Sequence, residues 1–189
     1  MKPSIPLCVR YSIDDKDRIF QVNDDWLRFA AENDGGKVTP PSILGKSLWS
    51  CIEDPTLSEL YQKLVEAARL GKRVRFNYRC DAPEFRRLFE MEVVGREHRT
   101  VDFISTLLDE EKRARVPLLD CYQPRSQEFV RVCSWCQRIA VGGEWLPVEA
   151  GVEALGIMQK STLPAVSHGI CNDCLVKVRK ELAALVNAA

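Results

Sequence analysis

Cys133-Ser134-Trp135-Cys136 is answered further along the chain by Cys171-Asn172-Asp173-Cys174. Two residues between cysteines let one tight turn aim both sulfurs at a single point, and the second pair must then arrive from a distant stretch. Four thiolates suit Zn²⁺, which is borderline-soft, has no d-electron geometric preference and accepts a closed tetrahedral shell. The spacing predicts a structural zinc site on Cys133, Cys136, Cys171 and Cys174. A thioredoxin-type redox pair usually stands alone, and two disulfides need an oxidising compartment. The N-terminus Met1-Lys-Pro-Ser-Ile-Pro6 lacks the apolar run of a secretory leader. An iron–sulfur cluster is the remaining alternative. His168, three residues before Cys171, is the alternative ligand, or a donor of a hydrogen bond to a ligand sulfur.

Around the first pair, Glu128-Phe-Val-Arg-Val132 reads as a strand, and Gly142-Gly143 between short apolar runs signals a hairpin. Residues 148–163 read as a short helix and loop. The second pair opens a helix in which Leu175, Val178, Leu182 and Leu185 recur at helical spacing, with Lys177, Arg179 and Lys180 on the polar side. The exposed N–H groups at a helix start favour thiolates and hence metal binding. Knuckle, hairpin and helix together predict a small treble-clef-like zinc module.

Lys plus Arg number 27 and Asp plus Glu 27, so no bulk field recruits nucleic acid or anionic membrane. No apolar run approaches bilayer length, and a cytoplasmic location is expected. Of the 8 cysteines, Cys8, Cys51, Cys80 and Cys121 are scattered without pairing spacing. They are expected to be small buried hydrophobes.

The region before the cysteine pairs reads in order. A hairpin spans Leu7 to Val22, with a polar turn at Asp14-Asp-Lys-Asp17, and Asn23 caps a helix carrying Trp26, Leu27, Phe29 and Ala30. Asp34-Gly35-Gly36 ends that helix, and 37–41 is loop. A short helix near Ser47 to Cys51 follows, and Asp54-Pro55 starts the longest helix of this part, with Gly71 after its end. From Arg73 the pattern alternates, and strands follow at Arg73 to Arg79, Arg87 to Gly95 and Thr100 to Leu107. This order predicts an α+β domain with helices on one face of a five-stranded antiparallel sheet.

Arg18-Ile-Phe-Gln-Val-Asn-Asp-Asp-Trp-Leu-Arg-Phe-Ala30, then Ile43-Leu-Gly-Lys-Ser-Leu-Trp49, then the antiparallel strands, resemble a PAS domain over about residues 7–108. The tail, with Ser167-His-Gly-Ile-Cys-Asn-Asp-Cys174, resembles the cysteine-rich segment that follows sensory PAS modules in some bacterial signalling proteins. The resemblance implies a sensor domain at 1–108, a linker at 109–127 and a zinc-binding module at 128–189. It also implies a space between sheet and helices that holds a small ligand or is filled by side chains in a dimerising relay module. Trp26, Phe29, Trp49, Phe76, Tyr78, Phe89 and Phe103 are the candidate lining, with ordinary core packing as the competing reading. No histidine lies on the long helix to bind haem, and the cysteine signature of flavin photoreceptors is missing. Arg75, Arg79, Arg86 and Arg87 are a candidate anion cradle, against a solvated face paired with Glu90 and Glu92.

No phosphate loop or nucleophile elbow is present, and His98 and His168 are the 2 histidines. The expectation is therefore a non-enzymatic regulatory protein. Its PAS-like part senses a ligand or dimerises, and its structural zinc supports a surface for a protein partner. A nucleic-acid-binding zinc regulator is one alternative, although Glu144, Glu149, Glu153, Asp173 and Glu181 dilute the basic residues of the tail. A zinc enzyme using His168 is the other. Loss of zinc is expected to unfold residues 128–189 and spare the first part.

Overall fold

The structure is a computed structural model that describes residues 7–33, 38–160 and 162–187. β1 (Cys8–Ile13) and β2 (Ile19–Val22) form the expected antiparallel hairpin. Asn23 caps α1 (Asp24–Asn33): its Oδ1 accepts from the Trp26 N–H at 2.9 Å and from the Arg10 N–H at 3.0 Å, which ties the helix start to β1. The expected stop at Asp34-Gly35-Gly36 lies outside the described residues. Overlapping the end of the 37–41 stretch read as loop, Pro40–Ile43 form a one-turn helix, α2, because Thr39 and Ser42 close a capping box and proline sits in the first turn. A turn of 3₁₀ helix at Leu48–Cys51 leads to α3 (Pro55–Arg69), where Asp54 accepts from the Leu57 N–H at 2.9 Å.

β3 (Val74–Arg79), β4 (Phe85–Gly95) and β5 (Val101–Lys112) complete a five-stranded antiparallel sheet in the order β2-β1-β5-β4-β3. The inward residues of alternate positions, among them Ile13, Phe76, Val93, Val101 and Phe103, pack against Leu57, Leu60, Leu64, Val65 and Ala68 of α3. Both β4 and β5 outrun their expected bounds. Asp109 to Lys112, read as the start of a linker, pair with Phe85 to Leu88, because Arg86 and Arg87 lie opposite Glu111 and Glu110.

A second, four-stranded sheet has the order β8-β7-β6-β9. β6 (Arg125–Cys133), β7 (Ile139–Val141) and β8 (Glu144–Leu146) are antiparallel neighbours, with the hairpin turning through Gly142 and Gly143, both at positive φ. After α4 (Val148–Ala154) comes a strand that the sequence reading lacks, β9 (Leu163–Gly169), which lies parallel to β6. α5 (Asn172–Asn187) follows. Leu118 is fully buried with Val130, Val132, Ile139, Val148 and Val152.

One core runs through both sheets' territory. Cys133, Trp135, Ile170, Cys171, Val178 and Leu182 cluster with Phe76, Leu64 and Phe103. The apolar stripe of α5 is therefore covered at Val178 and Leu182 by the chain's own core, and the side chain of Leu185 lies outside the described set. Polar ties reinforce this packing. Arg86 donates to Glu149 of α4 at 2.6 Å, and Arg113 bridges Glu149 at 3.3 Å and Asp81 at 3.1 Å.

At Gly95 strand β4 runs close against helix α3. A Cβ there would meet the Ala68 carbonyl oxygen at 2.1 Å, a backbone group that cannot swing away. Gly95→Ala is expected to cost about 1–3 kcal/mol of stability in urea denaturation; a variant as stable as the wild type would show that α3 does not bear on β4 this closely.

Candidate metal centre

The parallel pairing of β6 with β9 sets Cys133 opposite Gly169, so both strands end side by side. Ser134 N–H then donates to the Gly169 carbonyl at 2.8 Å and locks the two exits together. After β6 the chain makes a knuckle: Gln137 N–H donates to the Cys133 carbonyl at 2.9 Å, and Cys133 N–H to the Arg138 carbonyl at 2.8 Å. Gln137 takes a left-handed φ of 61° to close it. After β9, Cys171 leads directly into α5, its carbonyl accepting from Leu175 N–H at 2.9 Å, and Cys174 sits on the first turn.

The four sulfurs lie within 4.8 Å of one another, and Cys136 Sγ is 3.7 Å from Cys171 Sγ. A zinc–sulfur bond of about 2.3 Å gives a tetrahedron with an edge of about 3.8 Å, so the four sulfurs fit a single metal ion. All four are free thiols. Cys133 and Cys171 are buried, while Cys136 and Cys174 are half-exposed, leaving an entry path. Cys171 N–H points at Cys133 Sγ at 3.4 Å, which favours a negative sulfur there.

The protons of the cluster reflect this crowding. Cys133 is pulled down to about 5, chiefly by the hydrogen bond from the Cys136 thiol and then, against burial, by the N–H groups of Cys171, Cys136 and Trp135. The same shared hydrogen bond, with burial, pushes Cys136 up. Burial, followed by the charge on Cys133, pushes Cys174 up to about 12. The metal-free cluster thus holds protons at neutral pH, and a divalent cation must displace them.

Trp135, between the first two ligands, is a wedge into the first sheet. Its indole stacks on Phe76 at 4.9 Å and meets the edge of Tyr61 at 5.8 Å. Arg79 N–H of β3 donates to the Trp135 carbonyl at 2.8 Å, and Gln137 Nε2 returns a bond to the Arg79 carbonyl at 3.2 Å. Two ion pairs brace the site: Arg138 with Asp173 at 2.9 Å, and Arg131 with Asp54, the cap of α3. The Arg131 guanidinium crosses the face of Gly169, where a Cβ would lie 2.2 Å from its Nε. The sequence reading missed Trp135, although an apolar residue inside a C-x-x-C turn was the available signal. His168 is exposed on β9 and stands outside the four-sulfur cluster.

The seven candidate pocket aromatics do not line one cavity. Phe76, Phe89 and Phe103 are buried core. Tyr78 stacks on Phe89 at 5.6 Å and donates to Ser105 at 2.9 Å, and Trp49 donates to Asp17 at 2.8 Å. Phe29 faces a cleft of about 720 Å³ between α1 and the residues around Leu118. Trp26 faces a different cleft of about 700 Å³, together with Tyr11 and Tyr61, which the sequence did not single out. The candidate anion cradle is spent on carboxylates: Arg75 on Glu92, Arg79 on Asp81, Arg86 on Glu149 and Arg87 on Glu110. The four scattered cysteines depart from expectation, since Cys51 is exposed and Cys8, Cys80 and Cys121 are half-buried near strand ends and turns.

No protein-family model matches the chain, and no curated protein matches it in sequence. Among solved structures, a domain of an HTR-like protein from Haloarcula marismortui ATCC 43049 superposes with a TM-score of 0.37 at 15% identity, over 54% of this chain and 98% of that one. No helix among the described residues is long and apolar enough to cross a membrane.

Two outcomes follow from this geometry. Metal affinity should rise with pH across the neutral range, because the raised thiols of Cys136 and Cys174 must lose their protons; a competition titration at several pH values checks this, and a flat profile would contradict it. Cys136→Ser and Cys174→Ser should destabilise both parts of the chain, unlike the separate unfolding expected from sequence, because Trp135 and Val178 share a core with Phe76 and Leu64. Limited proteolysis should cut the variants on both sides of residue 120; cleavage confined to 125–187 would show that the first part stands alone.

Proposed function

We propose that this chain is a regulatory signal-relay protein, in which a PAS-like sensor unit is joined to a structural Zn²⁺ module that presents a surface to a partner protein. The observation that carries this reading is Trp135. A residue held between two metal ligands is packed into the core of the five-stranded sheet, and its carbonyl is bonded to edge strand β3. A change at the sheet therefore reaches the metal module through a short, rigid path, which is the physical requirement for a relay.

The PAS-like assignment is supported by the element order and by an antiparallel sheet carrying its helices on one face. Zinc is supported by the four-sulfur donor set and its spacing. A four-sulfur shell leaves no coordination position for water, and this favours a structural role over a catalytic one that would use His168. The extended β4 and β5 and the outer face of α5, with Val176 53% exposed, leave surface for a partner.

Native mass spectrometry gives the first test, with one zinc per chain expected; a chain that keeps no metal under non-denaturing conditions removes the premise. Hydrogen exchange gives the second. Metal loading should slow exchange in β3 and α3 as well as in 125–187, and slowing restricted to 125–187 would overturn the relay.

A further inference from the structure

We propose that the cleft shared between the first sheet and β9 binds an uncharged, planar aromatic molecule carrying an acceptor oxygen, and that its occupancy is thermodynamically linked to the metal. This deepens the relay reading and rests on the metal site described above. The cleft, of about 700 Å³, is walled on one side by Tyr11, Tyr61 and Trp26, and on the other by Ser134, Ser167 and His168. Its volume lies in the range of about 300–1,000 Å³ typical of small-molecule sites.

The chemistry of the walls selects the ligand. Tyr11 stacks on the buried Phe103 ring at 4.6 Å and 6°, and Tyr61 flanks the same ring at 6.3 Å and 26°. The two phenols thus present near-parallel faces, rigidly backed, beside the half-exposed Trp26 indole. No group among the described residues hydrogen-bonds either hydroxyl, whereas the neighbouring Tyr78 hydroxyl is held by Ser105. Burial pushes Tyr61 up to about 12 and Tyr11 well above its ordinary value, so both remain protonated donors. Lys46 and Glu53 both line the cleft and offset one another, and the third charged residue of the lining, Asp54, is paired with Arg131, so the site has no unbalanced charge to reward an ion. Flat apolar walls with two unspent O–H donors match an aromatic ring bearing a phenol, quinone or ketone oxygen.

The linkage follows from which residues form the far wall. Ser134 lies between Cys133 and Cys136, Ser167 and His168 stand on β9 four and three residues before Cys171, and the Tyr61 ring touches Trp135. Metal fixes these residues, so the wall exists in its binding form only when the knuckle is closed. Coupling is reciprocal, and ligand must then tighten metal binding by the same factor.

The test is a fluorescence titration of the whole, metal-loaded chain with 2-naphthol, and with naphthalene as the probe lacking oxygen. Saturable binding is expected, with naphthalene weaker by about 3- to 10-fold. Tyr11→Phe and Tyr61→Phe should each erase part of that difference while leaving the melting temperature unchanged, since neither hydroxyl has a hydrogen-bond partner among the described residues. Stripping the metal should weaken 2-naphthol at least about 5-fold. Should the stripped chain unfold, the reciprocal measurement decides: saturating 2-naphthol must raise metal affinity in competition with a chromophoric chelator. Absence of saturable binding, equal affinity for both probes in all three proteins, or a metal affinity indifferent to 2-naphthol overturns the proposal. A chain that holds metal but fails these arms leaves the relay reading standing; a chain that holds none removes both.

Discussion

The parallel register of β6 on β9 is the constraint on which the rest of this molecule depends. Parallel neighbours cannot be joined by a tight turn, so the chain between them must cross over, and here the hairpin, α4 and a turn of 3₁₀ helix make that crossing. The reward is that both strands exit at the same edge, where each is followed by a pair of cysteines. An antiparallel arrangement of the same two strands would put the pairs at opposite ends of the sheet. Four sulfurs then converge because two backbones run the same way, and Ser134 bonded to Gly169 keeps the exits in step.

The four-cysteine cluster and the tertiary packing are built from the same stretches of this chain. A structural zinc contributes on the order of 10 kcal/mol to the folding of a small module, comparable to the total stability of an ordinary domain. In this chain the free energy of a metal on the four cysteines would not be confined to the tail. Trp135 and the buried face of α5 complete the core that α3 and the first sheet begin, and Arg131 bridges to the cap of α3. The knuckle therefore acts as a fastening between two sheets whose hydrogen-bond ladders are separate. Its hydrogen bonds to Arg79 reach the edge strand, the part of a sheet that has a free side to offer.

Much of this was legible from local pattern. Caps at Asn23 and Asp54, alternation in β3 and β4, the Gly142-Gly143 hairpin and the helix opened by the second cysteine pair are each written in a few neighbouring residues. The helix α2 was missed because its signal, a reciprocal cap between Thr39 and Ser42 around two prolines, resembles loop composition. β9 was missed for a related reason. Leu163-Pro-Ala-Val-Ser-His-Gly169 has neither alternation nor a run of β-branched residues, and it becomes a strand because β6 offers it a free edge. The scattered aromatics could not be sorted into core and cleft, since burial depends on what crosses above them.

The sequence by itself determined the four-cysteine set, the helix that carries half of it and the α+β order of the first part, because spacing, capping and alternation act between residues a few positions apart. Tertiary structure alone decided that the two parts share a core, that Trp135 joins the metal site to the sheet, and that Tyr11 and Tyr61 face a common cleft closed by β9. Those facts rest on contacts between residues far apart in the chain, and no local pattern encodes which distant surface a side chain will meet.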